Sequence, residues 1–293
     1  MKSFSLLFML FLTGYSNAQT NMKTNADDNT LLWEISGKGL STPSYIFGTF
    51  HMLCKEDIKF SASLIQAVSN CDEIYLEMDM DDPATLFGGL MLMNMKQGKK
   101  LKDLYTADEY KRVSDYFKDT MQTSIGLFQT MKPYFLVAML YPKMMPCRSI
   151  SGIEEEIMKL AKEKNKEIKG LETMAFQASL FDSIPYETQA AELLNTIDSM
   201  DKSRMYFDSM VTSYKNQQMQ EIGRLLNSNE YGAGENQDIL LDKRNKNWVG
   251  QLKEIMKKRS VFTAVGAGHL IGENGLIALL RKEGYTVRPL ENK

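Results

Sequence analysis

The chain has 293 residues, 43% of them hydrophobic, and a formal net charge of −2 from 35 basic and 37 acidic side chains. That length can bury a substantial core, and a mildly acidic balance with no basic block excludes nucleic acid as a partner. Three cysteines, Cys54, Cys71 and Cys147, are too few for a disulfide scaffold and form no Cys-x-x-Cys pair to hold a thiolate zinc.

Residues 1–18 read as a secretory leader. Lys2 is its positive start, Phe4 to Leu12 its apolar stretch, and Ser16-Asn17-Ala18 its small-residue cleavage site, with cleavage before Gln19. No cysteine precedes Cys54 to take a lipid, and no later run reaches the ~20 apolar residues of a spanning helix. Losing Lys2 with the leader takes the formal charge from −2 to −3. Residues 19–30 are expected to be disordered. The remainder, 31–293, reads as one α/β domain: a central mixed, largely parallel sheet built from strand–helix–strand units, with large helical insertions.

The predicted elements begin with a strand at 31–36, paired across the turn at 37–44 with a second at 45–50. A helix near 60–70 leads to a strand at 73–80. Cys54 and Cys71 flank that helix, so a bridge between them is one option in an oxidising compartment, which would leave one thiol over. A helical insertion then runs over 83–146. It starts with a cluster of methionines, and its capping box, Thr106 with Glu109, opens one helix. Pro133 is expected to kink or interrupt the next. A second unit starts near Ser149–Gly152 with a strand, continues through a charged helix, Ile153–Lys166, and ends in the strand 167–172. A second helical insertion covers 174–258, with its most loop-like segment at 227–237. The third unit comprises strand 261–265, a helix near 273–283 and strand 285–290.

The only two histidines, His51 and His269, each follow an apolar run and lie three residues past a glycine, Gly48 and Gly266. In a parallel sheet both fall at the carboxyl edge of a strand, where ligands bind. Two imidazoles aimed into one crevice are half of a divalent metal site. Glu77 interrupts the run Ile74–Met78, which is costly for a carboxylate unless it meets a cation or strong donors. It ends the strand that the topology is expected to pair with the His51 strand. Glu172 holds the equivalent place in the second unit, and Arg244 and Asn245 are polar residues of an amphipathic helix that can face the same crevice. The bland alternatives are core histidines satisfied by carbonyls, Glu77 as a surface residue of an edge strand or as the partner of Arg244 in a structural ion pair, and Glu172 as a helix cap or solvated residue. There is no His-Glu-x-x-His, no Gly-x-Ser-x-Gly and no phosphate-binding glycine loop.

The two Gly-x-x-His motifs, Glu77 in Tyr75–Asp79, Gly170–Thr173 followed by Gln177, Arg244-Asn245 and the stretch 266–285 together resemble the TraB/PrgY/GumN family. That family includes the TIKI metalloproteases and is distantly similar to erythromycin esterase and the haem-binding ChaN-like proteins. The resemblance runs from about Leu31 to the C-terminus. It implies an α/β fold with His51, Glu77 and His269 at a site for a divalent ion, manganese, cobalt or zinc. Two positions depart from the family pattern: Gly152-Ile153-Glu154 stands where Gly-Leu-Asp is expected, and Tyr134 follows Pro133 where a tryptophan is frequent.

Two functions are consistent with these features. The first is a periplasmic or secreted metal-dependent hydrolase, a peptidase acting on peptide or protein, with Glu172 as fourth ligand or general base and Arg244 or Asn245 stabilising the oxyanion. The insertion 83–146 would form one wall of its cleft. The second is a non-catalytic protein of the same fold that binds haem, iron or a peptide signal.

Overall fold

A computed structural model of the chain describes residues 28–80, 89, 91–228 and 236–293. The expected leader, most of the segment after it and part of the loop 227–237 lie outside the described residues.

The elements run in chain order as β1 (Leu32–Ser36), β2 (Ser44–Thr49), β3 (Leu53–Cys54), α1 (Ala62–Asn70), β4 (Glu73–Met78), α2 (Ala107–Asp119), α3 (Pro133–Met144), β5 (Ile150–Ser151), α4 (Ile153–Glu163), β6 (Glu167–Glu172), α5 (Met174–Asp182), α6 (Tyr186–Asp198), α7 (Met200–Lys215), α8 (Met219–Leu226), α9 (Lys243–Met256), β7 (Val261–Gly266), α10 (Leu276–Lys282) and β8 (Thr286–Pro289). Six strands form the central sheet in the order β6-β4-β7-β2-β1-β8. The four strands β6, β4, β7 and β2 are mutually parallel, while β1 runs antiparallel to both β2 and β8. The sheet is thus mixed and largely parallel, as the strand–helix–strand pattern implies. β2 is buried along its whole length, as expected of a strand covered on both faces.

Three details correct the sequence reading. β4 does not pair with β2; β7 lies between them, pairing Tyr45 with Phe262 on one side and Ile74 with Phe262 on the other. The strand near Ser149 is not in the central sheet: β5 pairs with β3 in a separate two-stranded ribbon. Pro133 begins α3 rather than interrupting a helix, because at the first helical position its missing N–H has no partner to lose. The Thr106–Glu109 capping box forms as read.

The disulfide joins Cys54 to Cys147, and the expected option of Cys54 with Cys71 is not taken. Cys54 follows the carboxyl end of β2, whereas Cys71 precedes the amino end of β4. The intervening nine-residue helix carries the chain about 14 Å back along the sheet, so the two thiols sit at opposite edges. Cys71 is buried, unbonded to another cysteine, and takes a hydrogen bond from Ser260 Oγ at 3.4 Å. Cys54 instead meets Cys147 beside the β3–β5 ribbon, tying the ribbon to the chain that leaves α3.

Two apolar clusters result. One surrounds the central sheet and includes Trp33, Phe47, Phe262 and Trp248; the other lies among the helices, around Phe117, Leu136, Leu140 and Leu193. Phe50 packs against both.

The crosslink closes a loop of 93 residues, a length for which removal costs about 2–5 kcal/mol. Thiol titration in denaturant should find one free thiol per chain before reduction and three after it. Cys54→Ser should lower the melting temperature, whereas Cys71→Ser should leave the crosslink intact; three free thiols without reductant would exclude it.

Candidate functional site

The carboxyl ends of the four parallel strands bring the singled-out residues together. Glu172 ends β6, Glu77 lies next to last on β4, Gly266 ends β7 with His269 three residues on, and His51 follows β2 by two. Gly48 is needed where it stands: a β-carbon there would lie 3.0–3.1 Å from Leu270, Ala267 and Leu31. This close approach holds the turn carrying His269 against β2. Gly266 contributes its N–H, which donates to Glu77 Oε1 at 2.8 Å, and a β-carbon there would come within 3.3 Å of the same oxygen.

Arg244 is the centre of the cluster. It enters from α9, directly after a π-helical turn at Asp238–Asp242, a local widening often found at functional sites. Its five N–H groups all have acceptors. Nε donates to Glu172 (3.0 and 3.2 Å), and Nη2 to Glu77 Oε2 (2.6 Å) and Glu172 Oε2 (2.9 Å). Nη1 donates to the Leu240 carbonyl (2.8 Å) and to His269 Nε2 (3.1 Å). Gln177 Nε2 bridges the two carboxylates at 3.2 and 3.3 Å. The guanidinium also lies over Trp248, at 4.7 Å from the ring centroid. Such a cation is retained in the interior because every donor is satisfied.

The tautomer of His269 follows from its neighbours. Asn245 Nδ2 donates to the Asn274 carbonyl at 2.8 Å, which turns Oδ1 toward His269 Nδ1 at 2.7 Å. An amide oxygen only accepts, so Nδ1 carries the hydrogen and Nε2 the lone pair. Burial holds the imidazole neutral, with its pKa pushed down to about 3. Nε2 faces Glu77 Oε1 at 3.6 Å. Burial opposes ionisation of Glu77, yet the surrounding positive groups, the guanidinium foremost because His269 stays neutral, and the Gly266 N–H hold its carboxyl at about 2.

His51 has the same motif and a different environment. Its ring is 77% exposed, and Nδ1 lies 2.8 Å from Glu154 Oε1. The adjacent Glu154 carboxylate raises the imidazole's pKa above the usual histidine range. Glu154 is the site residue that sequence reasoning missed as a participant; the signal was its place in Gly152–Glu154, one of the two departures from the family pattern. Both histidines therefore have Nδ1 facing an acceptor, the feature that orients imidazole ligands in metal sites; Nε2 of His51 is left over, whereas that of His269 accepts from Arg244 Nη1.

His51, Glu77, Arg244 and His269 line one cavity of about 520 Å³. Its other walls are mostly apolar and aromatic, with Tyr141, Phe207 and Met210 among them, and carry Glu192, Thr196 and Ser203 on the helical side. The 83–146 insertion contributes Ala138, Tyr141 and Met144 from α3. Among the described residues, the methionine cluster that opens the insertion does not line it: Met91 is exposed and Met95 is packed elsewhere.

The donor set, two imidazoles with oriented Nδ1 atoms and an ionised carboxylate, suits a divalent cation in its chemistry. The ligand atoms do not all converge: among the described residues, the only group of three within 4.8 Å of one another is Cys54, Glu56 and Cys147. Its two sulfurs are in the disulfide and are not thiolate ligands. His269 Nε2 and Glu77 Oε1 are already close; His51 is the member that stands apart, held on Glu154.

The family model for TraB/PrgY/gumN matches residues 31–289. The chain belongs to the TraB/PrgY/gumN family. Curated relatives of this TraB/PrgY/gumN chain include Metalloprotease TIKI2 of Xenopus tropicalis, 22% identical over 90% of the chain and 60% of that protein. Metalloprotease TIKI1 of Homo sapiens is 25% identical over 88% and 61%, and the TIKI homolog of Amphimedon queenslandica 20% identical over 97% and 66%. The chain spans about three fifths of the length of the first of these relatives. No solved structure matches it.

Two measurements test this geometry in metal-free protein. With only two histidines, ring NMR signals are easily assigned. One imidazole should titrate above the reference value of about 6.5, moving down toward it in Glu154→Gln. The other should stay neutral, protonated on Nδ1, to below pH 5. Two ordinary titrations near 6.5 would refute both environments. In denaturant unfolding, Arg244→Leu should cost about 3–5 kcal/mol because it strands two buried carboxylates. Glu77→Gln should cost less, since Glu172 still holds the guanidinium; an equal loss would contradict the shared pairing.

Proposed function

We propose that the chain is an exported metal-dependent hydrolase that cleaves peptide bonds, with His51, Glu77 and His269 holding a divalent manganese, cobalt or zinc ion. The observation that carries this reading is the matched placement of the two imidazoles: Glu154 and Asn245 each face one Nδ1, and both rings line one cavity, where His269 Nε2 meets only Arg244 Nη1 and Glu77. The metalloprotease names of the relatives support the same reaction class. Export is supported by the leader-like residues 1–18 and by the Cys54–Cys147 disulfide, which suits an oxidising compartment. No helix among the described residues is long and apolar enough to cross a membrane.

A bound ion would supply Lewis acidity toward a scissile carbonyl and make water a better nucleophile at neutral pH. The protein's own groups do the remaining work. Glu77 presents an ionised carboxylate at the strand edge. Glu172, 2% exposed and engaged by Arg244 and Gln177, holds the guanidinium in place; no lone pair of it is aimed into the cavity as a base would require. Asn245 has its oxygen on His269 and its nitrogen on Asn274, so it orients the imidazole and has no spare donor for an oxyanion. Arg244 would gain that role only with an ion on His269 Nε2, which would release the Nη1 N–H now donated there. The apolar walls receive the substrate's side chains.

Metal analysis of purified protein beside a peptide-library cleavage assay tests the reading. Cleavage should be lost to chelator and restored by manganese, cobalt or zinc. His51→Ala and His269→Ala should each reduce bound metal to background while remaining folded. Full metal content in either variant would show that histidine to be structural and overturn the two-imidazole site.

A further inference from the structure

The cavity holds one acidic group that the proposed chemistry does not use. Glu192 lies on α6, half-buried, and lines the cavity on the helical side, away from the sheet edge that carries the histidines. Its carboxylate forms no hydrogen bond or ion pair with any described residue. Three hydroxyls of the cavity's helical side are committed to the backbone: Thr196 Oγ1 donates to the Glu192 carbonyl at 2.8 Å, Ser203 Oγ to the Thr196 carbonyl at 3.5 Å, and Tyr206 to the Leu225 carbonyl at 2.9 Å. The cavity's basic residues are Arg244 and His51, and these are occupied by Glu77, Glu172 and Glu154. The internal segments outside the described residues, 81–88, 90 and 229–235, contain no Lys, Arg or His, so no counter-charge comes from there. Burial raises the Glu192 carboxyl above its ordinary value.

A half-buried carboxylate without a protein donor is left to water alone, and a cation entering the cavity gives it a partner. The same wall presents a stacked aromatic pair, Tyr141 and Phe207, with centroids 5.1 Å apart and planes within 13°. Aromatic faces beside a carboxylate are the surroundings that take an ammonium or guanidinium together with its alkyl stem. We infer that Glu192 with Tyr141 and Phe207 forms a subsite for a cationic side chain, lysine or arginine, of the bound peptide. The inference rests on the peptidase reading for the word peptide, and on the cavity alone for the cation.

The test separates those two. Ligand-observed NMR on the full metal-free chain compares n-butylguanidinium with its neutral, shape-matched counterpart N-butylurea. Wild-type protein should prefer the cation by about tenfold, the worth of a partly desolvated ion pair with an aromatic face. Glu192→Gln should bring that ratio near one and melt no lower than wild type. Glu187→Gln, an exposed change on the same helix, should preserve the ratio. If Glu192→Gln does not fold, Glu192→Asp replaces it, and the preference should shrink but keep its sign. No preference in wild type, or a preference that survives Glu192→Gln, overturns the inference. In the cleavage assay, matched peptides carrying lysine or norleucine should differ about tenfold in kcat/KM for wild type and by little for Glu192→Gln. Selective binding of the cation with no cleavage of any peptide would support the subsite and count against the peptidase reading alone.

Discussion

A buried guanidinium organises the carboxyl edge of this sheet. Arg244 meets five acceptors, at the ends of three strands and on the turn that leads into its own helix. Removing a charge from water costs several kcal/mol, which only near-complete pairing offsets. The positions of Glu77, Glu172 and His269 therefore depend on one another, and the α9 helix is held to the sheet through the same contacts. Trp248 completes the packing: it lies 4.4 Å from the His269 ring and under the guanidinium, so one helix supplies the cation, the imidazole's orienting amide and the apolar backing.

The two Gly-x-x-His motifs place their histidines at neighbouring strand ends, and the surroundings then make them chemically unlike. His269 is buried and neutral with a defined lone pair. His51 is exposed and its proton is stabilised by a carboxylate. A cation competes with a proton for an imidazole, so the pair combines one nitrogen that is unprotonated but shared with Arg244 with one whose protonation depends on pH. Glu154 sets that dependence, and its longer side chain in place of the expected aspartate reaches the ring from the first turn of α4.

The helical insertions complete the cavity that the sheet edge begins. α3 and α7 bring aromatic and apolar side chains over the strand ends, α6 adds Glu192 and Thr196, and the Cys54–Cys147 crosslink fastens the chain leaving α3 to the ribbon beside β2. Charge is distributed unevenly across this enclosure. Both basic lining groups sit at the sheet, each already matched by carboxylates, and the unmatched acid lies on the helical wall.

Much of this could be read from the linear chain, because the relevant signals are local. Apolar runs ending in glycine gave β2 and β7, the Thr106–Glu109 box gave α2, and Glu77 stood out as a charge inside a strand. What each strand pairs with is not local. The insertion of β7 between β4 and β2, the separate β3–β5 ribbon and the choice of Cys147 over Cys71 all depend on contacts between segments 90 or more residues apart, which spacing along the chain does not encode. The same holds for roles within the site. Sequence identified Glu172, Arg244 and Asn245 as polar residues near a crevice, but only tertiary structure showed how their hydrogen-bonding capacity is spent. A donor or acceptor already used by a neighbour is unavailable to a substrate, and which neighbour uses it is decided in three dimensions.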